Sequence, residues 1–193
     1  MFKVIALMGK AGSGKDALLH ELIRQCPDAN EMISCTTRPI REGEKEGITY
    51  HYVSDEDFKE KVNSGFFLEY KKYNTEYGAW YYGSPKEELL SVKADESKVI
   101  ILTPDGYRDF IKEALGVQYR CIYIYSNSKT IQRRLKRRGD SPLEAKRRLY
   151  NDNIDFKGVE NEVDRIFYNN ENTDIKYLVS TICKYIKEQR SGA

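Results

Sequence analysis

Phe2-Lys3-Val4-Ile5-Ala6-Leu7-Met8, then Gly9-Lys10-Ala11-Gly12-Ser13-Gly14-Lys15-Asp16, then Ala17-Leu18-Leu19-His20-Glu21-Leu22-Ile23, is the stretch whose reading decides the fold. A short apolar run of strand length passes into a glycine-rich loop and from there into an apolar-faced helix. Glycines at 9, 12 and 14 open backbone angles closed to residues with a Cβ, so consecutive N–H groups can turn inward around an anion. The helix start points its partial positive charge at the same place, and Lys15 adds a full one. The stretch fits the phosphate-cradling pattern G-x-x-x-x-G-K-[ST] except at Asp16, which stands where Ser or Thr normally reaches Mg²⁺. A plain glycine turn between strand and helix is the competing reading, and it leaves the lysine in register unexplained.

Outward from that loop, strand and helix patterns alternate, which argues for a parallel sheet flanked by helices, an α/β fold. Strands are predicted at 2 to 8, 31 to 35, 98 to 102, 119 to 124 and 165 to 168, and helices at 15 to 25, 105 to 115, 128 to 138, 142 to 157 and 173 to 189. Residues 37 to 90 break the rhythm with Tyr, Gly and charge and with short pieces such as Ile48 to Val53, so they read as an inserted, substrate-covering subdomain. Ligands of open α/β sheets bind at the carboxyl ends of the strands. The phosphate loop, Ser34 to Arg38 and Thr103 to Asp105 should therefore surround one cleft.

The chain has 193 residues with 40% hydrophobic content, enough for one core and one or two small excursions. Its 32 Lys and Arg against 30 Asp and Glu leave a net charge of +2, which gives no sign of a nucleic-acid or membrane partner. The basic residues are nevertheless uneven. Lys129, Arg133, Arg134, Lys136, Arg137, Arg138, Lys146, Arg147 and Arg148 are opposed only by Asp140 and Glu144. Such a cluster meets an anion or lies solvated. The cysteines at 26, 35, 121 and 183 form no C-x-x-C pair and sit in apolar segments, where reduced thiols pack as small hydrophobes. With no leader pattern and no membrane-length apolar run, the reading is a soluble cytoplasmic protein.

Beyond the second predicted strand, Arg38 and Arg41 flank Pro39, with Tyr50 following. Two guanidinium groups and a phenol suit a second phosphate, although exposed arginines also simply solvate loops. Ser34-Cys35-Thr36-Thr37-Arg38-Pro39-Ile40-Arg41-Glu42-Gly43-Glu44, Tyr50-His51-Tyr52-Val53, Phe67-Leu68-Glu69, Tyr81-Tyr82-Gly83-Ser84, Arg134-Leu135-Lys136-Arg137-Arg138-Gly139, Arg147-Arg148-Leu149 and Asn169-Asn170 occur in this order. Taken jointly with the phosphate loop, these motifs resemble the guanylate kinase family over nearly the whole chain.

The resemblance implies a P-loop NTPase fold with a core at 1–36 and 91–193, a nucleoside-monophosphate-binding subdomain at about 37–90 and an arginine-rich lid at about 127–150. It implies transfer of the γ-phosphoryl of ATP to GMP or dGMP with Mg²⁺. Gly9, Lys10, Ala11, Gly12, Ser13, Gly14, Lys15, Asp16 and Asn169 would bind ATP. Lys15, Arg134, Arg138 and Arg148 would act on the moving phosphoryl group. Arg38, Arg41, Tyr50 and Tyr82 would hold the acceptor phosphate, while Ser34, Glu69 and Ser84 would read its base, and Asp16 would hold the metal, directly or through water. Glu69 is chemically apt, since a carboxylate accepts from both guanine N1–H and N2.

Three features depart from the family pattern. Asp16 replaces the metal-binding hydroxyl, Thr103 stands where an acid touching the acceptor base is expected, and the segment between Glu69 and Tyr82 is long enough to make Tyr77-Gly78-Ala79 a rival for Tyr82. A kinase of broader deoxynucleotide or small phosphorylated-acceptor range is one alternative. A non-catalytic protein-binding module of the same family is another, and the presence of Lys15 with Arg134, Arg138 and Arg148 weighs against it.

Overall fold

The structure is a computed structural model that describes residues 3–75, 78–93 and 96–191. In chain order the elements are β1 (Val4–Met8), α1 (Lys15–Gln25), β2 (Ala29–Glu31), β3 (Cys35–Thr36), β4 (His51–Tyr52), α2 (Asp55–Asn63), β5 (Phe67–Thr75), β6 (Gly78–Pro85), α3 (Lys86–Leu90), β7 (Ser97–Ile101), α4 (Pro104–Glu113), β8 (Tyr119–Tyr125), α5 (Ser128–Arg138), α6 (Pro142–Asp155), β9 (Arg165–Tyr168) and α7 (Ile175–Ser191).

Five strands form a parallel sheet in the order β2-β7-β1-β8-β9. Its centre is β1, whose five residues are all buried, as a strand covered on both faces requires. The alternation of side chains then divides the core. Ile5 and Leu7 pack with Leu18 and Leu22 of α1 and with Val179 and Ile182 of α7. Val4, Ala6 and Met8 point the other way, against Tyr107 and Phe110 of α4 and against Phe156. A second sheet, ordered β4-β3-β6-β5, has its own small core of Cys35, Phe58 and Phe67, with the Phe58 and Phe67 rings stacked at 4.6 Å.

Helix ends follow local chemistry. Ser54 accepts from the Asp57 N–H at 3.0 Å to start α2, Thr103 accepts from Gly106 N–H at 3.1 Å to start α4, and Asn127 accepts from Thr130 N–H at 2.8 Å to start α5. Gly139, at φ +86°, ends α5 in the left-handed conformation that glycine adopts without a Cβ penalty.

The predicted strand at 31 to 35 is instead two pieces. Met32 N–H makes a final bond to Val99 C=O at 2.9 Å, after which Ser34 C=O takes the His51 N–H at 2.9 Å, so the chain leaves one sheet for the other. Of Ile48 to Val53 only His51–Tyr52 is strand, because Gly47 N–H folds back to Tyr50 C=O. The expectation of four reduced cysteines is also corrected. Cys26, just past α1, and Cys183, in α7, are joined as a disulfide, while Cys35 and Cys121 stay free and buried. The apolar flanks that suggested separate thiols are the two faces that α1 and α7 press together. No described helix is long and apolar enough to cross a membrane.

Candidate active site

The phosphate loop joins β1 to α1, and two of its glycines are in the left-handed region, Gly12 at φ +76° and Gly14 at φ +87°. Gly14 is required twice over, since a Cβ there would stand 2.6 Å from Asn169 Nδ2. Asn169, buried just past β9, donates from that nitrogen to Ser13 C=O at 2.8 Å. Arg134 of α5 donates to the same carbonyl at 2.9 Å and reaches Asn169 Oδ1 at 3.3 Å. Burial, together with nearby Arg137, lowers the Arg134 pKa. Asn169 and Arg134 thus brace the loop from behind. Ser13 Oγ is buried without a hydrogen-bond partner.

At the helix start Lys15 Nζ lies 3.8 Å from Asp16 Oδ2, and the Asp16 side chain is 73% exposed. Among the described residues no group of three or more His, Cys, Asp and Glu side chains is placed to hold a metal. One exposed carboxylate beside a phosphate cradle suits a Mg²⁺ carried by substrate phosphates and water rather than by a protein cage. The donor set therefore fits that ion.

The second sheet builds two adjoining subsites. Arg38, only 4% exposed, donates to Glu44 Oε1 at 2.7 Å and to Pro39 C=O at 2.8 Å, and its guanidinium lies 5.6 Å from the Tyr50 ring centroid. Burial works against the Arg38 charge, but the Glu44 bond and the neighbouring Tyr82 outweigh it and raise its pKa. Glu44 also accepts from Arg41 N–H and Tyr52 O–H, each at 2.8 Å, and the bond from Arg38 pulls its carboxyl down to about 2. Tyr50 and Tyr82 meet edge to face at 5.8 Å. Burial pushes the Tyr50 phenol up to about 12, with the Tyr82 and Asp16 charges adding to it.

Beside this cationic pocket, Ser84 donates to Glu69 Oε1 at 2.5 Å, and the Ser34 and Ser84 hydroxyls lie 3.5 Å apart. Glu69 and Ser84 are cross-strand partners in β5 and β6. Burial raises the Glu69 carboxyl to about 7, partly offset by the Ser84 bond and by Lys71. Its other oxygen is close to α4, where a Cβ on Gly106 would stand 3.1 Å from Oε2. Thr103, where an acid was expected, spends its hydroxyl on the α4 cap.

The basic segment is organised by an acid. Arg138 donates to both oxygens of Asp140, at 2.7 and 3.0 Å, and Arg148 Nη1 lies 3.9 Å from the same carboxylate. Arg138 and Arg148 are thus brought together, apart from Arg134. Glu44 ends a motif that was quoted without a role for it, and Asp140, noted only as opposing the basic cluster, directly follows another; a charge of opposite sign among paired arginines was the available signal. Asp152 of α6, which accepts from Ala11 N–H at 2.6 Å, had no sequence signal, because nothing in its local pattern reports that α6 lies over the loop. Tyr77, the rival for Tyr82, lies outside the described residues.

A phosphate loop at the carboxyl end of a parallel sheet, opposed by a second anion pocket next to a buried carboxylate, defines the class as a P-loop nucleoside monophosphate kinase. The family model described as guanylate kinase matches residues 1–185, and the chain belongs to that family of ATP-dependent kinases. It is 29% identical over 194 residues to a guanylate kinase of Helicobacter hepaticus, covering 97% of this chain and 92% of the relative. It is 33% identical to a guanylate kinase of Thermosynechococcus vestitus over 74% of this chain and 73% of that one. The crystal structure of guanylate kinase from Anaplasma phagocytophilum superposes with a TM-score of 0.72 over 97% of this chain and 86% of that chain, at 22% identity, and shares its fold.

Proposed function

We propose that the chain transfers the γ-phosphoryl of ATP to GMP or dGMP, with Mg²⁺, giving the nucleoside diphosphate and ADP. The observation that supports it most is the Ser34, Ser84 and Glu69 chain of hydroxyls and carboxylate set directly beside the Arg38, Tyr50 and Tyr82 pocket. Guanine offers Glu69 two donors, N1–H and N2, while its O6 accepts from serine hydroxyls, and adenine offers no such donor pair on that edge. Arg38, Arg41, Tyr50 and Tyr82 hold the acceptor phosphate. Residues 37–90 act as the acceptor-binding subdomain, 127–150 as the lid, and 1–36 with 91–193 as the core.

The acceptor phosphate oxygen is already ionised near neutral pH, so no side chain has to take its proton, and catalysis is positioning and charge stabilisation. Loop amides from Gly9 to Gly14, the Ser13 hydroxyl and Lys15 receive the ATP phosphates, and Lys15 stays with the transferring group. Arg138 and Arg148, freed from their shared carboxylate as the lid closes, stabilise charge on the phosphoryl oxygens. Arg134 and Asn169 keep the loop in shape at the ATP side. Mg²⁺, held by Asp16 directly or through water, would neutralise charge between the phosphates. A cytoplasmic enzyme acting on free nucleotides, with neither nucleic acid nor membrane as partner, is consistent with the near-neutral charge balance. Coupled ADP release over a panel of nucleoside monophosphates tests the reading. GMP and dGMP should lead, Lys15→Ala should cut turnover by about 100-fold or more with folding intact, and a wild-type preference for a pyrimidine nucleotide would overturn it.

A further inference from the structure

The long segment between Glu69 and Tyr82 is a regular antiparallel hairpin, paired from Glu69↔Ser84 through Tyr73↔Trp80 to Thr75↔Gly78. Side chains of a strand alternate between faces and directly paired residues share one. Glu69, Lys71 and Tyr73 therefore stand on the same face as Ser84, Tyr82 and Trp80, the face that carries both acceptor subsites. Lys71 is turned aside toward α4, 3.5 Å from Asp109 and 3.8 Å from Asp105. Tyr73 is not: its ring meets the Tyr82 ring edge to face at 5.5 Å, extending the row that runs on to Tyr50 and Tyr52. Although 43% of Tyr73 is exposed, desolvation around its hydroxyl, with the Glu69, Tyr82, Asp155 and Asp152 charges nearby, pushes the phenol up to about 12. The ring is thus held on one side by Tyr82 and is partly open to solvent on the other.

A nucleotide bound with its base at Glu69 and its phosphate at Tyr82 must lay its sugar over this same face, where Tyr73 stands one pair beyond Tyr82 and touches its ring. The geometry points to Tyr73 as a further acceptor-binding residue, delivered by the lengthened hairpin, whose ring covers the sugar of the bound nucleoside monophosphate. An aromatic face over a sugar excludes water at little cost in side-chain entropy, since the ring has only two rotatable bonds and Tyr82 already holds it on one side. This inference rests on the acceptor site proposed above.

Titration calorimetry of GMP without ATP, alongside steady-state kinetics, tests it. Tyr73→Ala should weaken GMP binding and raise the GMP KM about tenfold while leaving the ATP KM within about twofold, and Tyr73→Phe, which keeps the ring, should stay within about twofold of wild type. Lys72→Ala, on the opposite face of the hairpin, should change neither constant, and matching unfolding temperatures establish that the hairpin is intact. Unchanged GMP binding in Tyr73→Ala, or an equal rise in both KM values, would overturn the inference. A wild-type chain that fails to bind GMP at all would instead overturn the acceptor assignment on which it rests.

Discussion

Asp152 of α6 accepts a hydrogen bond from the backbone N–H of Ala11, in the middle of the phosphate loop, at 2.6 Å, while Lys10 beside it donates to Asn153 at 2.7 Å. A carboxylate thus occupies one of the amides that a triphosphate would use. Burial raises the Asp152 pKa against the pull of the Ala11 N–H, Lys15 and Lys10, so the loop binds this anion without an ideal setting for it. On the ATP site proposed above, ATP and Asp152 would compete for the same donor. Asp152→Ala should lower the ATP KM by roughly tenfold, since hydrogen bonds to charged groups are worth about 1.5–3 kcal/mol, and the acceptor KM should not move. A raised ATP KM in this variant would show that Asp152 supports the ATP-bound loop instead.

Glu69 gives a pH signature. Its ionised form is the double acceptor, and burial holds its carboxyl at about 7 rather than in the ordinary carboxylate range. The kcat/KM for GMP should therefore rise with pH through about 7, because that ratio reports groups of the free enzyme, and Glu69→Gln should flatten the profile. Stability runs the other way. Between the ordinary value of 4.5 and about 7 the folded protein holds a proton that the unfolded chain has released, so Glu69 favours folding increasingly as pH falls across that window. Thermal unfolding of wild type against Glu69→Gln from pH 5 to 8 checks the sign.

For Glu44 the sign reverses. Its carboxyl is held down at about 2 by Arg38 and by the Arg41 N–H and Tyr52 bonds, so the stability it contributes is present above 4.5 and is lost as pH falls toward about 2. Glu44→Gln should remove that part of the acid sensitivity. It should also raise the GMP KM several-fold by leaving buried Arg38 without its carboxylate partner. Activity assays at pH 7.5 and acid titrations of both proteins read the two effects.

The arginines of the proposed lid should separate binding from chemistry. Arg138→Ala should depress kcat more than it raises the GMP KM, because its bonds strengthen as charge shifts in the transition state, whereas Arg41→Ala should act mainly on the GMP KM. Asp140→Ala should lower the unfolding temperature modestly, by about 1 kcal/mol of stability, since its largely buried carboxylate takes two bonds from a half-exposed Arg138. Steady-state kinetics and thermal melts of the three variants distinguish these outcomes.

Where local chemistry fixes conformation, the sequence was sufficient. The glycines at 12 and 14 and the apolar run of β1 place the phosphate loop where its pattern says, and α5 fills the predicted 128 to 138. The split of residues 31 to 35 between two sheets was not legible, since the switch depends on His51 reaching Ser34 from a distant segment. The same holds at the site. Glu69 was named only through the joint family motifs and Arg38 through its pairing with Arg41 around Pro39, whereas Asp152 over Ala11 and Tyr73 against Tyr82 are products of tertiary docking and hairpin register. The Cys26–Cys183 bond likewise follows from the contact of α1 with α7 and leaves no trace in the spacing.

On the proposed acceptor site, the buried carboxylate of Glu69 on β5 selects guanine as the acceptor base. The most direct measurement compares kcat/KM for GMP and AMP, wild type against Glu69→Gln, at pH 8, where Glu69 is ionised. GMP should be strongly favoured by the wild type and should lose roughly 5- to 150-fold in the variant, the cost of an unpaired buried polar group, with AMP changed little. Equal losses on the two nucleotides would contradict it.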